Sequence, residues 1–319
     1  MRPIRTALPP GDIGDMITAE ALTKRYGDVA VVDDVSFTCQ PGTVTGFLGP
    51  NGAGKSTTLR MITGLARADA GRATVAGRPY AALPNPSRVV GTLLDASAMH
   101  PGRTGRSTLE LAAALAGVPQ RRVNDVLPMV GLAGKAADQR VGAYSLGMRQ
   151  RLGIAQALIG HPQVLILDEP ANGLDPEGIA WMRSLLREFA DQGGTVLLSS
   201  HLLAEVEATV DRLVVISSGQ VVAWGRLSDL LSTSKLFVRT TDPLSLARAL
   251  DDAGVPHARS DDGSISVDTS TGVTAEQVAR LAADAGVLVV ELRESDRAGL
   301  EQLFFTLTTP VPTSERTSR

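Results

Sequence analysis

The chain has 319 residues, of which 43% are hydrophobic and 20% are charged, and its formal net charge at pH 7 is −3. These values are typical of a globular protein with room for about two domains, and they exclude the strongly basic surface that recruits nucleic acid. A single cysteine, Cys39, excludes an internal disulfide, and no apolar run approaches the roughly 20 residues that a membrane-spanning helix needs.

The N-terminal residues 1–15 contain basic residues but lack the apolar stretch of a signal peptide. We expect them to form a disordered extension. Residues 17–26 and 29–37 are predicted strands separated by a short turn. Tyr26 ends the first of them, and two interpretations of it remain open. It is either a platform on which an adenine ring stacks or a half-buried tyrosine at the end of a strand.

Residues 49–56 read GPNGAGKS and fit the phosphate-binding pattern G-x-x-x-x-G-K-[ST]. A predicted strand over 42–48 precedes them and a predicted helix over 56–63 follows, which is the context that the pattern requires. Glycines let the backbone wrap around a polyphosphate, and the helix presents unpaired N–H groups and the positive end of its dipole to the anion. Lys55 is then expected to reach the β- and γ-phosphates, and the Ser56 hydroxyl to ligate Mg²⁺.

Two strands and a helical segment follow this phosphate-binding loop. We predict strands over 71–77 and 89–94, the second leading into Asp95, and mostly helical structure over 103–135. The side chains expected to share one apolar helix face in that segment are Leu109, Leu111, Ala112 and Leu115. A helical insertion at this point in the chain is a candidate contact for a partner protein.

The next segment predicts helices and strands in alternation. A helix begins near Ser145, where the residues suit a helix N-terminus, and a second helix runs over about 177–190. Between them, the predicted apolar strand 164–170 ends with two carboxylates and a proline, and the later predicted strand 195–201 has a histidine at its C-terminal end. Because polar residues cluster at the ends of apolar strands, we expect a parallel α/β sheet with a site along one edge.

The pattern divides the chain into two folded domains. A hairpin over 212–224 closes the first domain, and residues 229–234 are predicted to be a linker. The second domain has the order β-α-β-β-α-β, which is ferredoxin-like, and it ends with a predicted helix over 300–307. The expected divisions are a disordered extension over 1–15, the first domain over 16–228, the second over 235–308 and a disordered tail over 309–319.

Five motifs occur in the order found in the ATP-binding subunits of ABC transporters, which the chain resembles over about residues 16–225. They lie at 49–56, 144–150, 167–170, 173–175 and His201. The chain is most similar to the exporter ATPases of the daunorubicin- and bacitracin-resistance type, whose signature reads Ser-Leu-Gly-Met and which carry a comparable C-terminal extension. The resemblance implies a P-loop ABC ATPase domain with a mostly parallel core sheet, an antiparallel β subdomain and a helical insertion, followed by the small α+β domain.

The resemblance also implies a role for each motif. Glu169 would be the general base that polarises the attacking water, and His201 and Lys55 would act at the γ-phosphate. The residues implied to hold Mg²⁺ are Ser56, Asp168 and Asp95. The residues implied to bind ATP are Tyr26, Gly49, Pro50, Asn51, Gly52, Ala53, Gly54, Lys55, Ser56 and Thr57. The signature residues implied to act on a nucleotide held by another subunit are Ser145, Leu146, Gly147 and Met148, with Asp175 at the interface between subunits.

The chain departs from the family pattern in two motifs, the signature and the Q-loop. Leu146 and Met148 replace a small residue and an amide of the common signature Leu-Ser-Gly-Gly-Gln, whereas Ser145 and Gly147, which face phosphate in the family, are retained. Asp95 stands where the family carries a glutamine in its Q-loop. It either accepts Mg²⁺ or a water molecule, or is a plain loop aspartate.

One phosphate-binding loop and one signature on each chain imply a head-to-tail ATP sandwich of two chains, either a homodimer or a heterodimer with a related ATPase. The expected function is ATP hydrolysis that energises a separate transmembrane permease for export of a drug, an antibiotic or another hydrophobic compound, without a nucleic-acid partner. The chain would then be cytoplasmic, on the inner face of the cell membrane. Two alternatives remain: an importer ATPase with a regulatory C-terminal domain, and a non-transport ABC ATPase, although the latter usually carries coiled coils, zinc-binding cysteines or two fused halves.

Overall fold

The computed structural model describes residues 14–201, 203–231, 235–260, 263–269 and 272–294, together with Leu300 and Phe304. The described residues fall into two compact units, one reaching Leu227 and the other lying within Ser228–Phe305. In these ranges no helix combines the length and the apolar character that a membrane crossing requires.

Strands and helices alternate along most of the chain. The strands are β1 (Ile17–Tyr26), β2 (Val29–Cys39), β3 (Val44–Leu48), β4 (Ala70–Val75), β5 (Val90–Leu93), β6 (Val164–Leu167), β7 (Thr195–Ser200), β8 (Arg212–Ser217), β9 (Gln220–Arg226), β10 (Lys235–Thr240), β11 (His257–Arg259), β12 (Ile265–Asp268) and β13 (Val289–Glu294). The helices are α1 (Lys55–Ile62), α2 (Pro86–Val89), α3 (Gly105–Ala116), α4 (Arg121–Met129), α5 (Lys135–Asp138), α6 (Leu146–Leu158), α7 (Pro176–Asp191), α8 (Leu203–Glu207), α9 (Leu227–Leu231), α10 (Pro243–Asp252) and α11 (Ala275–Asp284).

The central sheet of the first unit has six strands in the order β5-β6-β7-β3-β8-β9. Its first five strands are parallel and β9 is antiparallel to β8. Strands β3, β6 and β7 are buried along their whole length, as parallel strands covered on both faces must be. Because β6, β7 and β3 are neighbours, the residues that follow these three strands meet at one edge of the sheet.

An antiparallel sheet in the order β2-β1-β4 packs against the central sheet in one hydrophobic core. Phe37 of β2 stacks on Phe47 of β3, with ring centroids 5.3 Å apart. Cys39 is fully buried in this core, and that burial raises the pKa of its thiol to about 12. The predicted strands 17–26 and 29–37 therefore form part of an antiparallel β subdomain, as the fold prediction required.

The predicted apolar face of the helical insertion was wrong. Leu109 is buried, but Leu111 and Leu115 are 43% and 73% exposed. Helix α3 instead buries Gly105, Thr108, Leu109, Ala113 and Ala116. The error has a geometric cause, since Leu109 and Leu111 are two positions apart and lie about 200° from each other around a helix.

The second unit contains a four-stranded antiparallel sheet in the order β11-β12-β10-β13. Helices α10 and α11 connect its strands in the predicted β-α-β-β-α-β order, and their apolar residues share a core with the sheet. The predicted linker over 229–234 is partly wrong, because α9 continues to the buried Leu231. The predicted helix over 300–307 falls outside the described residues except at Leu300 and Phe304.

Candidate active site

The phosphate-binding loop joins β3 to α1, and two of its glycines fill positions where a side chain does not fit. Gly54 caps α1 with a φ of 102°, and a Cβ on it would lie 2.5 Å from the carbonyl oxygen of Val31. A Cβ on Gly49 would lie 2.4 Å from the carbonyl oxygen of Ile216. No side chain of the described residues caps the N-terminus of α1, so its first N–H groups face the loop and suit an anion.

Lys55, the first residue of α1, carries an almost completely buried side chain. Its ammonium group donates hydrogen bonds to the carbonyl oxygens of Gly49 at 2.7 Å and Pro50 at 3.3 Å. The same nitrogen lies 3.9 Å from Oε1 of Glu169. A cation held between the loop and a carboxylate is well placed to meet a phosphate that enters the loop.

The two carboxylates after β6 are fixed by one hydroxyl group on β7. The buried Ser199 donates a hydrogen bond from Oγ to Oδ1 of Asp168, and the same Oγ accepts one from the N–H of Glu169 at 2.9 Å. The carbonyl oxygen of Glu169 accepts a hydrogen bond from Nε2 of Gln150, on α6, at 3.0 Å. The backbone of Glu169 has a φ of 48°, in the left-handed region that few side chains adopt.

His201 contacts the other oxygen of the Glu169 carboxylate. The Nδ1 atom of His201 lies 2.7 Å from Oε2 of Glu169, and the N–H of His201 donates to the same oxygen at 3.3 Å. One oxygen of the Glu169 carboxylate therefore faces Lys55 and the other faces His201. The side chain of Glu169 is 21% exposed, so the site is partly open to solvent. The structure therefore brings together all three residues that were predicted to be catalytic.

The signature residues lie at the start of α6 and pack against the loop before α7. Ser145 caps α6, and its Oγ accepts a hydrogen bond from the N–H of Met148 at 3.2 Å. A Cβ on Gly147 would lie 2.8 Å from the carbonyl oxygen of Gly173, and one on Gly173 would lie 2.4 Å from the side chain of Leu146. This close packing requires glycine at both positions.

Three other predicted site residues, Tyr26, Asp95 and Asp175, make their contacts outside the group formed by Lys55, Glu169 and His201. Tyr26 is 56% exposed, and the ammonium group of Lys24 lies 5.5 Å from the centre of its ring. Asp95 accepts hydrogen bonds from Oγ and the N–H of Ser97, and these bonds hold the pKa of its carboxyl below the usual value. Asp175 is exposed and caps the N-terminus of α7.

The residues present suit a magnesium ion that is shared with a nucleotide. Within the described ranges, no three or more His, Cys, Asp and Glu side chains are close enough together to hold a metal by themselves. Mg²⁺ usually binds through one or two carboxylates together with substrate phosphates and water molecules. The Asp168 carboxylate, oriented by Ser199 at the edge of the sheet that carries the phosphate-binding loop, fits that pattern.

Two residues of the site, Ser199 and Gln150, were given no role of their own from the sequence, although Gln150 ends the predicted motif 144–150. Each is a polar side chain in an element that is otherwise mostly apolar and buried: Ser199 in β7 and Gln150 in α6. A buried polar group nearly always has a hydrogen-bond partner, so its presence in such an element is the signal that would have indicated a specific contact.

Comparisons with known proteins agree with this geometry. A family model described as "ABC transporter" matches residues 32–172, and one described as a domain of unknown function matches 234–301. Daunorubicin resistance ATP-binding protein DrrA2 of Streptomyces coeruleorubidus is 35% identical over 309 residues, which cover 92% of this chain and 95% of that protein. Bacitracin transport ATP-binding protein BcrA of Bacillus licheniformis is 38% identical over 212 residues, 65% of this chain and 68% of that protein. A solved structure of an ATP-binding subunit of an ABC transporter superposes with a TM-score of 0.62 at 30% identity, covering 67% of this chain and 91% of that one.

The phosphate-binding loop and the carboxylates beside it, on a mostly parallel sheet, define the class of P-loop ATPases. Within that class, the chain belongs to the ATP-binding subunits of ABC transporters. The predicted family, fold, nucleotide binding and ATPase activity are thereby confirmed. Subunits of this family dimerise and work with membrane permeases.

Proposed function

We propose that the chain hydrolyses ATP with Mg²⁺ in sites shared by two chains, and that it energises a separate permease for export of a drug, an antibiotic or another hydrophobic compound. It would do so at the inner face of the cell membrane. The observation that carries the catalytic part is the position of the Glu169 carboxylate between Lys55, 3.9 Å away, and His201, 2.7 Å away.

The proposed reaction uses each of these groups once. ATP enters the phosphate-binding loop, and the ammonium group of Lys55 exchanges its loop carbonyl partners for oxygens of the β- and γ-phosphates. Oε1 of Glu169 then accepts a proton from the water that attacks the γ-phosphate, while His201 holds Oε2. Ser56 and Asp168, with Asp95 as a further candidate, would hold Mg²⁺, which supplies positive charge against the phosphate oxygens.

The proposed shared site rests on the separation of motifs along the chain. Each chain has one phosphate-binding loop and one signature, and the signature residue Ser145 is exposed at the start of α6. Its hydroxyl and the N–H groups of α6 suit the γ-phosphate of a nucleotide that another chain holds. Asp175, exposed at the start of α7, would lie at the same interface.

The direction of transport is supported by the two relatives whose names state daunorubicin resistance and bacitracin transport. We expect the chain, expressed with its cognate permease, to drive ATP-dependent accumulation of daunorubicin or bacitracin in the lumen of inside-out membrane vesicles. Vesicles with Lys55→Ala should accumulate neither compound. ATP-dependent loss of a preloaded compound from the same vesicles would indicate import and refute the proposal, as would accumulation that Lys55→Ala leaves intact.

Tyr26 is proposed to stack on the adenine ring of ATP. Removing the ring in Tyr26→Ala should weaken ATP binding by about 10-fold, the effect expected of one stacked base, whereas Tyr26→Trp should bind ATP as tightly as the unchanged chain. Titration with ATP and with inorganic triphosphate measures the effect. Equal weakening for both ligands, or none for ATP, would show that Tyr26 does not contact the base.

A further inference from the structure

The backbone of Glu169 is held at both ends by side chains from two other elements. Its N–H donates to Oγ of Ser199 on β7, and its carbonyl oxygen accepts from Nε2 of Gln150 on α6 as well as from the N–H of Asn172. A residue other than glycine with a φ of 48° is strained, and such strain persists only where the surroundings enforce the conformation. Ser199 and Gln150 are the two side chains that enforce it here.

Gln150 lies five positions after Ser145, so it belongs to the helix that begins with the signature. Its side chain is 95% buried, because only 5% of its surface is exposed, and among the described residues its Oε1 atom has no hydrogen-bond partner. Burying an amide oxygen without a partner is unfavourable, so packing alone does not explain why a glutamine occupies this position. The feature that the glutamine does provide is the bond from Nε2 to Glu169.

We propose that Gln150 is a positioning residue that links the signature helix to the catalytic base of the same chain. This role rests on the function proposed above. In the two-chain site, the start of α6 contacts ATP held by the partner chain. A shift of α6 on that contact moves the carbonyl group of Glu169 through Gln150, and the strained peptide then turns the carboxylate towards water in this chain's own site. Hydrolysis at one site therefore depends on the nucleotide at the other.

If Gln150 only positions Glu169, replacing it should lower the rate of ATP hydrolysis without changing the affinity for ATP. In the full-length chain, Gln150→Leu should lower kcat for ATP hydrolysis by about 10- to 100-fold, the effect of misplacing a catalytic group by about 1 Å, with the dissociation constant for ATP unchanged within about twofold. Ser199→Ala, which releases the other end of the Glu169 peptide, should lower kcat in the same way, and its dissociation constant for ATP is compared in the absence of Mg²⁺ because Ser199 also orients Asp168. Gln156→Leu is the matched control, since Gln156 lies on the same helix about 240° around from Gln150 and should keep full activity.

The double variant Gln150→Leu with Glu169→Gln shows whether Gln150 acts through Glu169. Its residual hydrolysis should be no lower than that of Glu169→Gln alone, because residues acting as a unit are non-additive. It should also still dimerise with ATP, as is expected of Glu169→Gln, because the signature itself is intact. A further independent loss of hydrolysis, or loss of dimerisation, would overturn the positioning role.

Two other outcomes would also decide against the proposal. Equal losses in ATP affinity and in kcat for both Gln150→Leu and Ser199→Ala would mean that the two side chains only maintain the fold. Normal hydrolysis by Glu169→Gln on its own would refute Glu169 as the base, and with it any role that acts through Glu169. The single variant thus distinguishes failure of the proposed function from failure of the positioning role.

Discussion

Replacing Glu169 by glutamine should lower the rate of ATP hydrolysis by roughly 100- to 10,000-fold, the usual contribution of a general base, without weakening ATP binding. The amide keeps the size of the carboxylate and an oxygen that can accept from His201, but it does not take a proton from water. In the proposed two-chain sandwich, closure precedes hydrolysis, so the variant should accumulate as an ATP-bound dimer. Phosphate release measures the first effect, and size-exclusion chromatography in ATP measures the second.

The matched control for this variant is Glu276→Gln. Glu276 lies on α11 in the second unit, where its exposed carboxylate pairs with Arg280, so its replacement should change neither hydrolysis nor dimerisation. Glu169→Gln with normal turnover would remove Glu169 from the reaction. A Glu169→Gln chain that binds ATP but stays monomeric would contradict the sandwich.

Two inactive variants should restore each other if each site takes its phosphate-binding loop from one chain and its signature from the other. Lys55→Ala removes the buried ammonium group that is proposed to contact phosphate, and Ser145→Arg fills the start of α6 with a bulky side chain. Each variant alone should lose nearly all hydrolysis. In a mixed dimer one site receives both defects and the other receives none. Mixing the two chains should therefore return activity that neither has alone, although about 10- to 100-fold below that of an unchanged dimer, because ATP at the defective site does not engage the Gln150 link to the Glu169 of the intact site.

The control for the mixture is Lys135→Ala, because Lys135 is an exposed lysine at the start of α5, outside the candidate site. This variant should be fully active alone, and adding it to Ser145→Arg should produce no more activity than its own chains provide. Mixed dimers of Lys55→Ala and Ser145→Arg, demonstrated by cross-linking, that remain inactive would show that both motifs act within one chain.

The predicted catalytic residues could be identified from the sequence because each motif is a short, continuous segment of the chain. An apolar strand that ends in polar residues identifies both a buried parallel strand and the edge where its functional groups lie, which is why Lys55, Glu169 and His201 were expected to converge. The contacts of Ser199 and Gln150 with Glu169 connect residues 30 and 19 positions apart, and they depend on packing that no local pattern encodes. The apolar face of α3 was mispredicted for a different reason, since leucines in a helical segment indicate apolar character but not which side is covered.

The burial of Cys39 makes the chain suitable for site-specific labelling. Thiol reagents attack the thiolate, and a fully buried thiol with a pKa raised to about 12 supplies almost none of it near neutral pH. The unchanged sequence therefore behaves as a cysteine-free background. A pair of cysteines introduced beside the phosphate-binding loop and the signature would carry spin labels or fluorophores without interference, and the distance between the two labels would report the proposed closure and reopening of the dimer during the ATP cycle.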